Sequence, residues 1–235
     1  MGRRILQQRR GRGTSTWRTS TYAYRLNLMY PSQESEGTIL KFLSAAGHSC
    51  PIAMIKTKNA TFFNVATDGM HVGQKIAIGE NASVENGNII PLSKIPVGTN
   101  VCNVEVVSMN GGKIVRSSGL SATVLRKTPE GVILILPSRE ERTFAENARA
   151  TIGIIAGGGR TEKPFVKAGK RAHLQWARNK HYPRNSPIKR NAVNHPFGGG
   201  RGKNMGKSGI APRWAPPGRK VGLLKPAKQG RGGKR

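Results

Sequence analysis

A mainly β protein, two small barrels set between long irregular basic extensions, is what the sequence predicts. Three observations carry that prediction. Short β-branched runs recur between residues 37 and 157, each bounded by Gly, Asn, Asp or Pro. They come at roughly 8–12-residue spacing, the rhythm of barrels and sandwiches rather than of alternating strands and helices. The charge is segregated as well. Residues 1–30 hold seven Lys or Arg and no acid, residues 31–159 twelve basic and ten acidic groups, and residues 160–235 twenty-one basic groups against Glu162 alone.

The first element is the segment Arg3 to Arg25, which has too few apolar residues for a core and no sustained period. It is expected to be extended or irregular until bound. Trp17, Tyr22 and Tyr24 alternate with Arg12, Arg18 and Arg25, a mixture suited to stacking on unpaired bases and to phosphate contact. Packing on the body is the other reading, and for Tyr22 and Tyr24 both stand.

A first strand group follows: Thr38–Leu43, Ile52–Lys58, Thr61–Ala66 and Val72–Ile78. A second comprises Val101–Val107, Lys113–Arg116, Ala122–Arg126, Val132–Leu136, Glu141–Phe144 and Thr151–Ile155. Asp68-Gly69, Asn86-Gly87-Asn88, Asn110-Gly111-Gly112 and Pro129-Glu130-Gly131 supply residues that tolerate positive φ in tight turns. The stretch Ile89–Thr99 is broken by prolines and a glycine and reads as the junction between two barrels. The expected division is an N-terminal extension over 1–36, barrels over 37–88 and 89–159, and a C-terminal extension over 160–235. One short helix is expected in Lys167–Arg178, weakened by Gly169. From Tyr182 onward Pro, Gly, Lys, Arg and Asn dominate, and apolar residues are too scattered to offset ordering entropy.

A formal net charge of +29 would repel itself in a compact chain, so a polyanionic partner is implied. A membrane is a poor candidate. The longest apolar run, Val132–Leu136, is far short of the roughly 20 residues that span a bilayer, and Gly and Pro interrupt any amphipathic helix in the tail. No apolar segment follows Arg3 and Arg4, so a secretory signal is not expected. The Arg-, Ser- and Thr-rich start resembles an organellar transit peptide only superficially. Cys50 and Cys102 have no nearby His or Cys partner and read as small buried hydrophobes in a reducing compartment.

No enzyme pattern emerges. The glycine stretches Gly157–Arg160 and Gly198–Gly202 let backbone N–H groups approach phosphates, but neither has the spacing of a nucleotide-triphosphate loop. His195 invites a catalytic reading, yet no carboxylate is near it in sequence and its basic surroundings would depress its pKa. His48, His71, His173 and His181 show no metal-ligand spacing; no metal and no cofactor are expected. The carboxylates lie almost entirely in turn-like surface stretches of the body. Two other classes stay in view, a duplex-DNA compactor and an RNA-acting enzyme using His195.

Nucleic-acid binding is therefore assigned to the extensions. The candidate residues in the first are Arg9, Arg10, Arg12, Trp17 and Arg18. Those at the start of the second are Arg160, Lys163, Lys167, Lys170 and Arg171. Further along come Arg190, His195, Arg201 and Lys203, then Arg213, Trp214, Arg219 and Lys220.

Six blocks then carry a resemblance: QRRGRGT at Gln8–Thr14, PLSKIPVGTNVCNVE at Pro91–Glu105 and ARATIGIIAGGGRTEKP at Ala148–Pro164. The others are KAGK at Lys167–Lys170, NAVNHPFGGGRG at Asn191–Gly202 and APPGRKVG at Ala215–Gly222. In this order they resemble the universal large-subunit ribosomal protein family called L-two in bacteria and L-eight in eukaryotes, in its archaeal or eukaryotic form. Asn194 departs from the Asp usual before the histidine. The resemblance implies an OB-type barrel followed by an SH3-like barrel. It also implies binding to large-subunit ribosomal RNA beside other large-subunit proteins, in the cytoplasm, by a chain that is not a homo-oligomer. It further implies a role in joining the subunits, and it places Asn194, His195, Pro196, Phe197, Gly198, Gly199 and Gly200 near the peptidyl-transferase centre, where the RNA catalyses.

Overall fold

Residues 3–224 are described in the computed structural model of the chain, and they divide into two units. Ser20–Arg178 form a body; Met1–Thr19 and Asn179–Arg235 form the other unit. The last eleven residues of the expected C-terminal extension lie outside the described residues.

The body is mainly β, as its strand-and-turn pattern predicts. Its first five strands are β1 (Ser35–Leu43), β2 (Ile52–Thr57), β3 (Thr61–Val65), β4 (Lys75–Ile78) and β5 (Ile89–Pro91). There follow β6 (Asn100–Cys102), β7 (Val104–Glu105), β8 (Gly112–Ile114), β9 (Ala122–Thr128), β10 (Gly131–Ile135), β11 (Glu141–Phe144) and β12 (Arg149–Ile152). Ten strands make one sheet in the order β11-β10-β9-β6-β12-β5-β4-β1-β2-β3, and β7 pairs with β8. The turn residues do what their chemistry predicts: Gly69, Gly87, Gly111 and Gly131 all take positive φ.

Two hydrophobic clusters fill the body, consistent with barrel-type domains. One gathers Ile39, Ala53, Ile55, Phe62, Ile76, Ile78 and Ile89 from β1–β5. The other is centred on Val101, Cys102, Val124, Val132, Leu134, Ala150 and Ile152 from the later strands. Each fully buried Ile or Leu contributes about 1.5–3 kcal/mol relative to exposure. Both cysteines are free and buried, and burial raises both thiol pKa values. Strand β1 pairs with β4 over Ser35–Thr38 and with β2 over Gly37–Leu43, and a register shift between Ile39 and Lys41 interrupts the second pairing.

Three features differ from the sequence reading. The start of the stretch read as a junction unsuited to long strands holds a three-residue strand: β5 pairs parallel to β4 at Ile78–Ile89 and antiparallel to β12 at Ile90–Ala150. Burial explains this, because Ile89, Ile90, Leu92 and Ile95 are fully enclosed and their backbone needs partners there. Second, the run Val101–Val107 is two short strands broken at Asn103, which takes φ 48°. Its side chain donates to Asn64 Oδ1 at 2.8 Å, and its carbonyl accepts the Tyr30 hydroxyl at 2.5 Å. Thr151 Oγ1 closes this buried polar network with Tyr30 and Asn64.

Third, Glu105 is not in a surface turn but fully buried, bound to Arg149. Ahead of β1, Leu28 bridges to Phe63 and Tyr30 is buried, so this segment packs as part of the body. After a six-residue helix α1 (Leu6–Gly11) in the other unit, the expected short helix forms in the body as α2 (Ala168–Ala177), with no residue buried.

Candidate nucleic-acid interface

Twenty-one basic residues and no acidic one occur in Met1–Thr19 and Asn179–Arg235. With no acidic side chain in these segments to offset them, their charge favours a polyanion. It is more ordered than its composition predicts. A six-residue helix, Leu6–Gly11, starts where the Gln8 side chain accepts the Ile5 backbone N–H at 3.2 Å. Ile5 is buried with Phe197 and Val221 in a three-residue core, so widely separated apolar residues that look scattered in sequence meet in space.

The loop Asn194–Gly200 is held by its own backbone. Asn194 and His195 N–H groups donate to the Asn191 carbonyl, Gly198 donates to His195, and Gly199 to Arg190. At Gly198 a side chain would collide with the carbonyls of Arg190 and Asn191, so only glycine closes the loop this tightly. Gly199 and Gly200 take positive φ, and the Pro196 carbonyl accepts Lys207 Nζ at 3.3 Å.

His195 is 5% exposed, and its Nδ1 accepts the Phe197 N–H at 3.1 Å. Burial first, and the Arg190 charge second, push its pKa below the ordinary histidine value. It is thus a neutral group bracing its loop, with no carboxylate in its unit to orient it as a base.

Around this loop the candidate residues sort by exposure. Arg9, Arg10 and Arg12 are exposed on and just after the helix; Arg18 is exposed and donates to the Gly13 carbonyl. Trp17 is half-buried, with the Arg10 guanidinium 5.4 Å from its ring centre. Arg190 is half-buried and donates to the Asn185 carbonyl at 3.1 Å. Arg201, Lys203, Arg213, Trp214, Arg219 and Lys220 are exposed; Arg213 lies 5.0 Å from the ring centre of Trp214.

In the body, Lys163, Lys167, Lys170 and Arg171 are exposed at or before α2. Arg160 stands differently. It lines a cleft of about 410 Å³ with Arg116, Arg178, Tyr24, His48 and Ser49, and no acid lines it. Arg178 is held by its Nε donating to the Ala46 carbonyl at 3.0 Å, and Arg116 by donating to Gly112. Tyr24 packs edge-on against His48, ring centres 5.5 Å apart, while its own ring stays half exposed.

Gly47 sets that wall. Its N–H donates to the Ala23 carbonyl at 2.7 Å, and a Cβ there would strike Ala23 and the Tyr24 ring. His48 Nε2 is buried without a hydrogen-bond partner among the described residues, and burial followed by the Arg116 charge lowers its pKa. Sequence reading misses Arg116 and Arg178 as site residues. No local signal could have found them, because the cleft's residues come from five separated segments.

Among the described residues no group of three or more His, Cys, Asp or Glu is placed to hold a metal ion, and no helix is long and apolar enough to cross a membrane.

Comparison with known proteins sets the chain in the class of large-subunit ribosomal proteins. The family described as Ribosomal Proteins L2, C-terminal domain, matches residues 85–215. Full-length likeness extends to the large ribosomal subunit protein uL2 of Haloquadratum walsbyi, 44% identical across 99% of this chain and 98% of the relative. The uL2 of Natronomonas pharaonis is 44% identical over 100% and 98% of the two chains, and that of Methanococcoides burtonii 42% over 98% and 100%. The chain belongs to the uL2 family of ribosomal proteins.

Proposed function

We propose that this chain is a structural constituent of the large ribosomal subunit in the cytoplasm, binding and stabilising large-subunit ribosomal RNA without catalysing a reaction itself. The observation that carries this reading is the acid-free unit with its twenty-one basic residues, in a chain alike over its whole length to proteins of that name. The physical division of labour is plain. The body, as OB-type (37–88) and SH3-like (89–159) barrels, offers preformed surfaces to RNA backbone and minor-groove features. The basic segments order along RNA crevices and screen phosphates that must approach one another. Arginine suits this work because its planar fork binds phosphate bidentately and stacks on bases.

The loop Asn194–Gly200, braced by its own backbone hydrogen bonds and by Lys207 on the Pro196 carbonyl, suits a segment placed near the peptidyl-transferase centre; the protein also supports subunit association. Other large-subunit proteins are its neighbours, and it acts as a single copy.

Incorporation tests the proposal. A chain carrying Arg9, Arg10, Arg12, Lys189 and Arg190 all changed to Gln is expected to sediment free of large subunits that take up the unaltered chain. Its normal incorporation overturns the reading. A preference of the unaltered chain for duplex DNA over folded ribosomal RNA would favour a DNA compactor instead. His195→Ala is expected to leave peptide-bond formation unchanged in subunits that assemble; its loss there would favour an enzyme.

A further inference from the structure

The basic unit contains a second cleft, of about 610 Å³, lined among others by Arg4, Arg9, Trp17, His181, Lys189 and Arg190. That size falls within the roughly 300–1,000 Å³ range of small-ligand sites. Its composition separates into three functions. Arg4, Arg9 and Lys189 are exposed cations with no carboxylate in their unit to neutralise them. Trp17 and His181 put two aromatic rings in the wall, centres 5.9 Å apart and tilted by 53°. The third part of the lining is amide: Asn185, Asn191 and Asn194, whose side chains make no hydrogen bond among the described residues.

Asn179 Nδ2 ties the two edges of this unit together, donating to the carbonyls of Ser15 at 2.8 Å and Arg18 at 2.7 Å, on either side of Trp17. The Trp17 backbone is therefore clamped in place before any ligand arrives. Arg10 against its ring further limits the rotamers open to the indole.

We infer that this cleft receives a single unpaired RNA nucleotide, its base against Trp17 and His181, its phosphates on Arg4, Arg9 and Lys189, and its edge facing the asparagine amides. The inference rests on the RNA-binding reading above and narrows it. Phosphate alone would need only the cations; a half-buried indole with the exposed His181 ring near it, beside free amide donors and acceptors, matches a base. Paired bases cannot enter, because in an A-form helix they are stacked and their deep groove is closed to side chains.

The test compares full-length chains on two probes at one salt concentration: a single-stranded adenosine hexanucleotide and an RNA duplex of equal phosphate number. Trp17→Leu is expected to weaken the hexanucleotide about 10-fold, as loss of base–aromatic stacking does, and to change the duplex less than 2-fold. His181→Ala, at an exposed position, should act in the same direction, and Trp17→Phe should restore most of the affinity. Lys189→Gln should weaken both probes alike.

Crosslinks from a 4-thiouridine-substituted hexanucleotide should map to residues 4–18 and 181–194. Equal losses on both probes with Trp17→Leu would overturn the inference, as would unchanged hexanucleotide binding by both Trp17→Leu and His181→Ala. Failure of the unaltered chain to bind either probe would instead overturn the RNA-binding reading beneath it.

Discussion

Glu105 and Arg149 form a two-pronged ion pair in the interior of the body, Oε1 to Nη2 at 2.9 Å and Oε2 to Nε at 3.3 Å. Both partners make further hydrogen bonds. Glu105 also accepts the backbone N–H groups of Met109, Gly111 and Arg149, and Arg149 Nη1 donates to the Pro31 carbonyl at 2.6 Å. The pair thus pins three segments to β12: the entry into β1, the hairpin between β7 and β8, and β7 itself.

Removing one partner strands a buried charge, which costs about 3–5 kcal/mol. Glu105→Gln is therefore expected to lower unfolding free energy by about that amount in urea titration, more than its near-isosteric shape implies. The double change Glu105→Gln with Arg149→Met should be the milder variant, since no charge is left behind and the Gln carbonyl oxygen still accepts from the backbone N–H groups around it. A loss of stability by the double variant that equals or exceeds the single one would contradict this account.

Acidification should destabilise the body through His48. Its folded pKa lies below the ordinary value of 6.5, so the unfolded chain takes up the proton first. The stability contributed by the neutral ring is complete above pH 6.5 and is lost as pH falls through the lowered folded value. Melting temperature should drop between pH 7.5 and 5.5, and His48→Gln should flatten that dependence.

The arginine cleft of the body predicts a salt signature. If Arg116, Arg160 and Arg178 each neutralise one RNA phosphate, changing all three to Gln should reduce the slope of log affinity against log salt by roughly 2 to 3. Filter binding at four or five salt concentrations measures it directly. An unchanged slope would mean the cleft does not meet RNA phosphates.

Gly198→Ala should disrupt the loop that braces His195. The added methyl meets the carbonyls of Arg190 and Asn191, and overpacking of this kind costs about 1–3 kcal/mol. Faster protease cleavage within residues 190–200 is the expected readout, with the body unaffected.

Much of the body was legible in advance because its signals are local. β-branched runs, Gly and Asn at turns, and the helix over 168–177 each depend on residues a few positions apart. The six sequence blocks pointed to the same family that the full-length comparisons show. The sites were legible only in part. Trp17 beside arginines announced stacking chemistry, but its partner His181 lies far along the chain.

By itself, then, the sequence determined the mainly β class, the segregation of positive charge and the burial of Cys50 and Cys102, all readable from composition and short-range pattern. Tertiary structure decided the rest: β5 entering the sheet between β4 and β12, Glu105 turning inward to Arg149, Ile5 meeting Phe197 and Val221, and Arg116, Arg160 and Arg178 sharing one cleft. The reason is physical. Each of these contacts closes a long loop, and whether it forms depends on burial and partner satisfaction supplied by distant segments, which no neighbouring residue encodes.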